Sequence, residues 1–328
     1  MRGIRQGWIL AGLTAIEIVR QPVCLLLTIT AVAACLLSPL TLMHNFGEDG
    51  KLARDGGLAF HFLFGLFLAA QASATALHRE LQSGTAAAIL SKPVNRMVFF
   101  LAKCGGVAVV LVGFSAAVTM ATLLATRTAE VFLMTRQYVG YVMDWRTGIM
   151  ALAAIPAAVA TAARLNYRTR RSFTSSAFVM LLVYLACVVV YALLMDRHGR
   201  FAPLASPLEW RILGVSYLVL LALLILSVFT VTVSTRLPAG PTLLAASALV
   251  IAGLVSDYLF GSRLSSPAFA RLGYAIIPNW QNFWMADALN AGGRISYPYL
   301  AGATVYAACM ITALLGIGLL TFERTETR

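Results

Sequence analysis

Eight long stretches of the chain contain no Asp, Glu, Lys or Arg, and this pattern limits the fold more than any other feature. They are 21–43, 56–78, 104–126, 147–163, 172–195, 212–235, 237–256 and 295–322. A helix rises about 1.5 Å per residue, so it needs about 20 apolar residues to cross the hydrocarbon core of a bilayer. Seven stretches reach that length, and their continuous apolar character favours helices over an alternating β-barrel pattern. The sequence therefore predicts an all-α polytopic membrane protein with about eight membrane segments.

The composition supports this fold class. Hydrophobic residues make up 60% of the chain and charged residues 12%, with a mean hydropathy of +0.82. These values exclude an ordinary soluble domain and a disordered chain. The stretch 147–163 is short, rich in alanine and contains Pro156. It is either a thin span or a re-entrant segment.

Residues 1–20 precede the first apolar stretch. Trp8, Ile9, Leu13 and Ile16 fall at roughly helical spacing, which indicates a helix in the membrane interface. The alternative is a positively charged cytosolic start without a structural role.

A cluster of arginines gives the clearest signal of membrane orientation. Arg164, Arg168, Arg170 and Arg171 lie within one short connection between two apolar stretches. Such a cluster is typical of a cytosolic loop. With eight crossings, both termini are then predicted in the cytosol. The net charge of +12 is attributed to basic residues that orient the chain in a membrane. The expected partner is therefore the lipid bilayer and not a nucleic acid.

The connection between the second and third apolar stretches has a pattern of its own. Ser83 or Thr85 can cap a short helix, the run 86–90 is a good helix former, and Pro93 ends it. The sequence predicts a short helix near 80–96 on the cytosolic surface. Lys103 directly precedes the third charge-free stretch, about seven residues into the apolar run if that run begins at Met97, and its long side chain is expected to extend to the cytosolic interface.

In this connection Glu80 is followed by the pair Gly84-Thr85, the run Leu90-Ser91-Lys92-Pro93 and Arg96. This order resembles the coupling region of type-two ABC transporter permeases, the ABC-2-like exporters. The multi-copper-enzyme-maturation permeases are the branch it resembles most. An acidic residue, a Gly-Thr pair, a Leu-Ser-Lys-Pro run and an arginine follow one another. The resemblance implies that these residues couple the chain to an ATPase: Glu80, Gly84, Thr85, Lys92, Pro93 and Arg96.

The resemblance covers about 1–125 and 209–328, and it implies a domain organisation. Residues 1–20 form the interfacial helix, and 21–125 form three spans with the coupling helix near 80–96. Residues 126–208 are an inserted external segment with two extra apolar segments, added to the six spans common in the family. The last three spans occupy 209–328.

An external re-entrant or amphipathic region, 262–296, lies within this last part. In the family such a region forms short helices that roof the translocation path, implying a roof of Pro278, Asn279, Trp280 and Trp284. From the residues alone, Asn279 caps an amphipathic helix whose tryptophans fit an interfacial belt. A plain aromatic anchor is the alternative.

The chain has no ATP-binding loop of the GxxxxGK[ST] type. Its three lysines, Lys51, Lys92 and Lys103, are followed by Leu, Pro and Cys, so none fits that pattern. We therefore expect that the chain is not an enzyme, since it has no ATPase site of its own, and that it binds no cofactor. The resemblance implies that a separate pair of P-loop ATPase subunits binds ATP and Mg. It also implies a second permease chain, identical or related, and a bacterial-type cytoplasmic (inner) membrane.

Two polar residues within the spans are candidates for a translocation path. Gln71 lies in the second stretch with Ser73 and Thr75, and such residues more often hydrogen-bond neighbouring helices. Asp257 ends the seventh stretch and is either functional or interfacial.

Three other functions remain as alternatives. They are an ATP-independent carrier or channel, a non-transporting anchor that transmits force to a partner, and an intramembrane enzyme. The last ranks lowest, because no HExxH or GxSxG pattern and no cluster of acids lies in the spans. The cysteines and histidines lack metal-site spacing, so no metal is predicted.

Overall fold

A computed structural model of the chain describes residues 2–41, 50–78, 95–134, 139–197, 199–203, 208–260 and 277–323. In chain order the α-helices in these ranges are α1 (Arg2–Val19), α2 (Pro22–Thr41), α3 (Lys51–Ser73), α4 (Arg96–Thr128), α5 (Trp145–Thr169), α6 (Phe173–Leu194), α7 (Ile212–Ser234), α8 (Ala239–Phe260) and α9 (Tyr297–Glu323). A π-helix, Ala74–His78, continues α3. Two strands follow α4, namely β1 (Val131–Met134) and β2 (Val139–Val142), and 3-10 helices occupy Trp280–Asn282 and Ala286–Gly292.

Eight of these helices, α2 to α9, are long and apolar enough to cross a membrane. The prediction of an all-α polytopic membrane protein with about eight membrane segments is confirmed. The stretch 147–163 contains fewer charge-free residues than a full crossing needs. It belongs to α5, which has 25 residues and contains Pro156. At about 1.5 Å per residue α5 is about 37 Å long, which is sufficient for a full crossing.

Helices α3, α4 and α7 form the centre of the bundle. The 33-residue α4 packs against α1, α2, α3, α6 and α7, and α3 packs against α2, α4 and α7. Glycines allow the closest approaches: a Cβ at Gly57 of α3 would lie 2.5 Å from Thr122 Oγ1 of α4, and one at Gly65 would lie 2.4 Å from Leu223 of α7. Small residues at such contacts are the usual means by which membrane helices pack tightly.

The two ends of the bundle are named here after α4, the Arg96 end and the Arg127 end. At the Arg96 end, α3 and α7 finish together, since Ser234 Oγ donates to the Ser73 carbonyl at 3.3 Å. At the Arg127 end, α3 begins beside the residues that precede α7, because Arg54 contacts Glu209 at 3.0 Å. Helix α4 thus runs antiparallel to α3 and α7.

Helix α1 lies along the first part of α4. Its buried face includes Ala11, Thr14, Ala15 and Ile18, and a Cβ at Gly106 would lie only 2.6 Å from Thr14 Cβ. Trp8, Ile9, Leu13 and Ile16 form an exposed apolar face on the opposite side. This face is suited to contact with lipid at an interface.

Helices α5 and α6 form an antiparallel pair joined at the Arg96 end. The C-cap of α5 is Arg170, with a φ of 56°, and Asn166 Nδ2 donates to the Arg171 carbonyl at 2.6 Å across the turn. Thr161 and Tyr184 hydrogen-bond at 2.8 Å between the two helices. A small antiparallel hairpin of β1 and β2 precedes the pair, with Phe132 paired to Tyr141. This hairpin was not part of the sequence prediction.

Candidate coupling region and translocation path

The connection between α3 and α4 carries the strongest sequence pattern, and residues 79–94 lie outside the described residues. The placement of Glu80, Gly84, Thr85, Lys92 and Pro93 therefore stays a prediction. Of the coupling residues, the structure describes Arg96, the first residue of α4, whose side chain is exposed. The backbone of the two helix ends that hold the connection is described, and these ends define its attachment points.

One attachment point is the end of α3. The last residue of α3, Ser73, is buried and its Oγ lies 2.7 Å from Thr230 Oγ1 of α7. Thr230 is also buried and hydrogen-bonds the Ser227 carbonyl at 2.9 Å. The chain then changes from α-helix to π-helix over Ala74–His78. Short π-helical turns of this kind occur frequently at functional sites.

The other attachment point is the start of α4. The Asn95 side chain accepts a hydrogen bond from the Met97 N–H at 3.0 Å, which satisfies one of the unpaired donors of the first helical turn. One turn later Phe99 and Phe100 pack against Phe322 of α9, with ring centroids 5.9 and 5.8 Å apart. The start of α4 is thereby fixed to the last helix of the chain.

Lys103 departs from the sequence prediction. We expected its ammonium group to reach the membrane interface, but the residue is only 4% exposed. Its Nζ lies 5.4 Å from the centre of the Phe99 ring, a cation–π distance. The side chain of Lys103 is thus covered by the chain and is not exposed at its surface.

The two candidates for a translocation path lie far apart. Gln71 is half-buried near the end of α3, at the Arg96 end, whereas Asp257 lies in the last turns of α8, at the opposite end. The side chain of Asp257 is outside the described residues. Ser73 behaves as a helix-packing residue through its bond to Thr230. The structure therefore does not bring Gln71 and Asp257 into one site.

The predicted external roof enters the bundle between α8 and α9. Trp280 is only 2% exposed, and its Nε1 donates to the Leu249 carbonyl of α8 at 3.2 Å. The Asn279 N–H donates to Tyr306 Oη of α9 at 3.1 Å. By helical rise, Leu249 lies about 16 Å along α8 from Phe260 at its Arg127 end. The segment thus reaches about halfway through the bundle.

The local structure of this segment is more compact than predicted. Asn279 does cap a helix, accepting from the Gln281 N–H at 2.9 Å, but the helix is the short 3-10 turn Trp280–Asn282. Pro278 packs against α8, since a Cβ at Gly253 would lie 2.3 Å from its carbonyl oxygen. Trp284 is 39% exposed and fits an interfacial belt, whereas the buried Trp280 does not.

One buried and one partly buried ion pair at the Arg127 end were not predicted from the sequence. Arg127 contacts Asp144 at 3.0 Å, and Arg54 contacts Glu209 at 3.0 Å. All four lie outside the charge-free stretches of the sequence, and nothing in their spacing marks them as partners. No group of three or more His, Cys, Asp or Glu side chains suited to a metal ion occurs among the residues that the structure describes.

One comparison with known proteins gives a match. Residues 18–175 match a family described as ABC-2 family transporter protein. The matched part begins at the end of α1, contains the connection 79–94 and continues through α5 into α6, so it includes part of the segment predicted as an insertion. Neither the curated proteins nor the solved structures gave a match. This part of the chain is thus similar to the ABC-2 transporter family, and the eight apolar helices indicate a multi-pass membrane protein.

Proposed function

We propose that this chain is the permease subunit of an ATP-binding-cassette exporter, driven by a separate ATPase that docks on the connection near 80–96. The match of residues 18–175 to the ABC-2 transporter family carries the proposal, because the connection lies within the matched part. The chain's own lysines fit no phosphate-binding loop, so the energy for transport comes from the partner.

The architecture around the connection supports a mechanical role. The connection joins α3 to α4, and these helices lie at the centre of the bundle with α7. A displacement of the connection would act on both helices at once. ATP binding can shift the permease only if the ATPase contacts two packings of these helices with different free energies. The π-helix Ala74–His78 and the buried Ser73–Thr230 contact lie where that displacement enters the bundle.

We assign the Arg96 end to the cytosol. The arginine-rich turn between α5 and α6, the start of α1 and the end of α9 all belong to this end, and arginines favour the cytosolic side. Arg54 and Arg127, at the opposite end, are buried and ion-paired, so they count little as topological signals. In this orientation both termini are proposed to lie in the cytosol, and the similarity to the ABC-2 family favours a bacterial-type inner membrane.

The proposed complex contains two ATPase subunits and two permease chains, identical or related. Gln71 lies on the cytosolic side of the proposed path and Asp257 near its external side. The segment with Pro278, Asn279 and Trp280 forms the external roof of the path. Export is the proposed direction.

Reconstitution with a candidate P-loop ATPase subunit tests the proposal. ATP hydrolysis is measured in proteoliposomes with and without the permease, and co-purification of the two proteins is measured in detergent. We expect the permease to stimulate hydrolysis severalfold, and Glu80→Lys and Gly84→Asp to abolish the stimulation. Arg168→Glu is the control, because Arg168 is exposed in the last turn of α5 at the same end of the bundle.

The outcomes separate the alternatives. If the two proteins neither co-purify nor affect each other's activity, the ABC permease assignment fails and an ATP-independent carrier or an anchor takes its place. If stimulation occurs but persists in Glu80→Lys and Gly84→Asp, the permease assignment stands and the role of the connection is rejected.

A further inference from the structure

A cavity of about 960 Å³ lies at the Arg127 end, between the residues that begin α7 and those that begin α9. This volume is within the range of small-molecule sites in proteins, roughly 300–1,000 Å³. The cavity has a polar part, formed by Glu209, Arg211 and Arg294, and an apolar part that includes Leu213 and Leu300. It lies apart from the proposed coupling region, which is at the opposite end of the bundle.

The polar part carries an excess of positive charge. Glu209 is engaged by Arg54 at 3.0 Å and by Arg211 at 3.4 Å, so its charge is compensated. Arg211 also donates from Nη1 to the Gly293 carbonyl at 3.4 Å, which holds its guanidinium in place. Arg294 is exposed and makes no hydrogen bond or ion pair within the described residues. A planar guanidinium with free donors matches the oxygens of a phosphate group.

The apolar part runs along the membrane-spanning portions of the two helices. Tyr217 of α7 lines the cavity, and its hydroxyl lies 2.9 Å from Thr304 Oγ1 of α9, which joins the two helices beyond Leu300. By helical rise the distance from Arg211 to Tyr217 is about 9 Å. A ligand in the cavity would therefore contact charge at one end and hydrocarbon-facing side chains at the other.

Aromatic residues mark the level of the cavity relative to the bilayer. Trp210 and Tyr297 line it and are exposed at the very start of α7 and α9. Trp and Tyr concentrate where head groups meet the hydrocarbon core. The charged part of the cavity is thus at head-group level and the apolar part at acyl-chain level.

We propose that this cavity binds an amphiphile with a phosphate head group, with the phosphate on Arg294 and Arg211 and the apolar chain along Leu213 and Leu300. A bilayer phospholipid and a phosphate-bearing amphiphile brought from the aqueous phase share this chemistry. The proposal rests on the membrane location of the chain and does not require the ATPase.

Native mass spectrometry of the purified full chain tests the proposal. The probes are phosphatidylglycerol, diacylglycerol, which lacks the phosphate, and glycerol 3-phosphate, which lacks the chains. We expect the wild-type chain to retain phosphatidylglycerol at least fivefold better than diacylglycerol. Glycerol 3-phosphate at matched concentration is expected not to displace it. A short-chain phosphatidylglycerol, used below its micellar concentration, distinguishes the two sources of the ligand. If the ligand can enter from the aqueous phase, this probe is expected to bind as well as the long-chain phosphatidylglycerol.

Matched variants locate the binding. Gly214 lines the cavity, and a Cβ there would lie 3.8 to 4.0 Å from Ile295 and Leu300, an ordinary contact distance. Gly214→Ala is therefore expected to retain phosphatidylglycerol. Gly214→Leu fills the cavity, and its retention of phosphatidylglycerol is expected to fall at least fivefold. Retention of phosphatidylglycerol by Arg294→Gln is expected to fall by a similar factor. Arg168→Gln, at the opposite end of the bundle, is the control.

The melting temperature of each variant is measured to confirm that the fold is retained. Three results would overturn the proposal. Equal retention of phosphatidylglycerol by all variants would place the lipid elsewhere. If the wild-type chain retained diacylglycerol as well as phosphatidylglycerol, the phosphate would not be recognised. Unchanged lipid retention with a reduced dimer fraction in Gly214→Leu would make the cavity a contact between two copies of the chain.

Discussion

Arg127 at the end of α4 donates from Nε to Asp144 Oδ2 at 3.0 Å, and the two side chains are only 3% and 2% exposed. The same guanidinium donates to the Ala192 and Met195 carbonyls at the end of α6. Asp144 in turn caps α5, accepting from the Thr147 N–H at 3.1 Å. One buried pair therefore ties the α5–α6 pair to the central helix.

Removal of one partner of this pair leaves a buried charge without compensation, so Arg127→Met is expected to destabilise the fold by about 3–5 kcal/mol. Asp144→Asn keeps the helix cap but removes the charge, and a cost in the same range is expected. The double variant should cost less than the sum of the two, because the second change removes the uncompensated charge. Melting temperatures in detergent measure this, with Arg168→Met as the exposed control. Additive losses would show that the pair is not coupled.

Two adjacent glycines of α4 test how closely α1 packs. A Cβ at Gly106 would lie 2.6 Å from Thr14 Cβ and 2.8 Å from the Ala11 carbonyl oxygen, whereas one at Gly105 would meet Ala11 Cβ at an ordinary 3.6 Å. Gly106→Ala is therefore expected to displace α1 and to cost about 1–3 kcal/mol, as overpacking does. Gly105→Ala is the matched control with little expected effect. Tryptic cleavage at Arg20 measures the displacement, and equal rates in both variants would contradict the packing.

The membrane spans could be predicted from the sequence because the bilayer core excludes charge, so charge-free stretches report the hydrocarbon directly. The same reasoning underestimated α5. Its helix continues beyond the stretch 147–163 to Thr169 and includes Arg164 and Arg168, since long cationic side chains are tolerated at a helix end in the interface. Charge spacing gives the apolar part of a helix and not its bounds.

The buried charges could not be predicted in the same way. Arg127 and Asp144 are separated in the sequence by the β-hairpin, and only the return of the chain beside α4 brings them together. Likewise, no periodicity indicates that Trp280 lies against Leu249 rather than in an interfacial belt. The packing of distant segments decides both, and sequence spacing does not contain it.

The contact between Ser73 and Thr230 is expected to stabilise the Arg96 end of α3 by a modest amount. Their hydroxyl oxygens are 2.7 Å apart and buried. Hydrogen bonds between membrane helices contribute on average about 0.6 kcal/mol. A double-mutant cycle of Ser73→Ala and Thr230→Val is therefore expected to give a coupling energy of about 0.5–1.5 kcal/mol. Thr232→Val is a control on the same helix, since its hydroxyl bonds the Val228 carbonyl within α7. A coupling energy near zero would mean that the hydroxyls do not bond each other.

The depth of the segment around Trp280 depends on the absence of a side chain at Gly253. A Cβ there would lie 2.3 Å from both the Pro278 carbonyl oxygen and Trp280 Nε1, and the carbonyl belongs to backbone that cannot rotate away. Gly253→Ala is therefore expected to push the segment out of the space between α8 and α9. Gly240 is a control on the same helix, because a Cβ there would meet nothing within 4 Å.

Displacement of the segment would break the bond from Trp280 Nε1 to the Leu249 carbonyl and bring the indole into a more polar environment. Tryptophan emission is expected to shift to longer wavelength in Gly253→Ala and to remain unchanged in Gly240→Ala. Trp280→Phe in each background assigns the shift to that residue. Because the clash involves backbone on one side and a buried ring on the other, a Gly253→Ala protein with unaltered emission and melting temperature would show that the segment does not lie against α8.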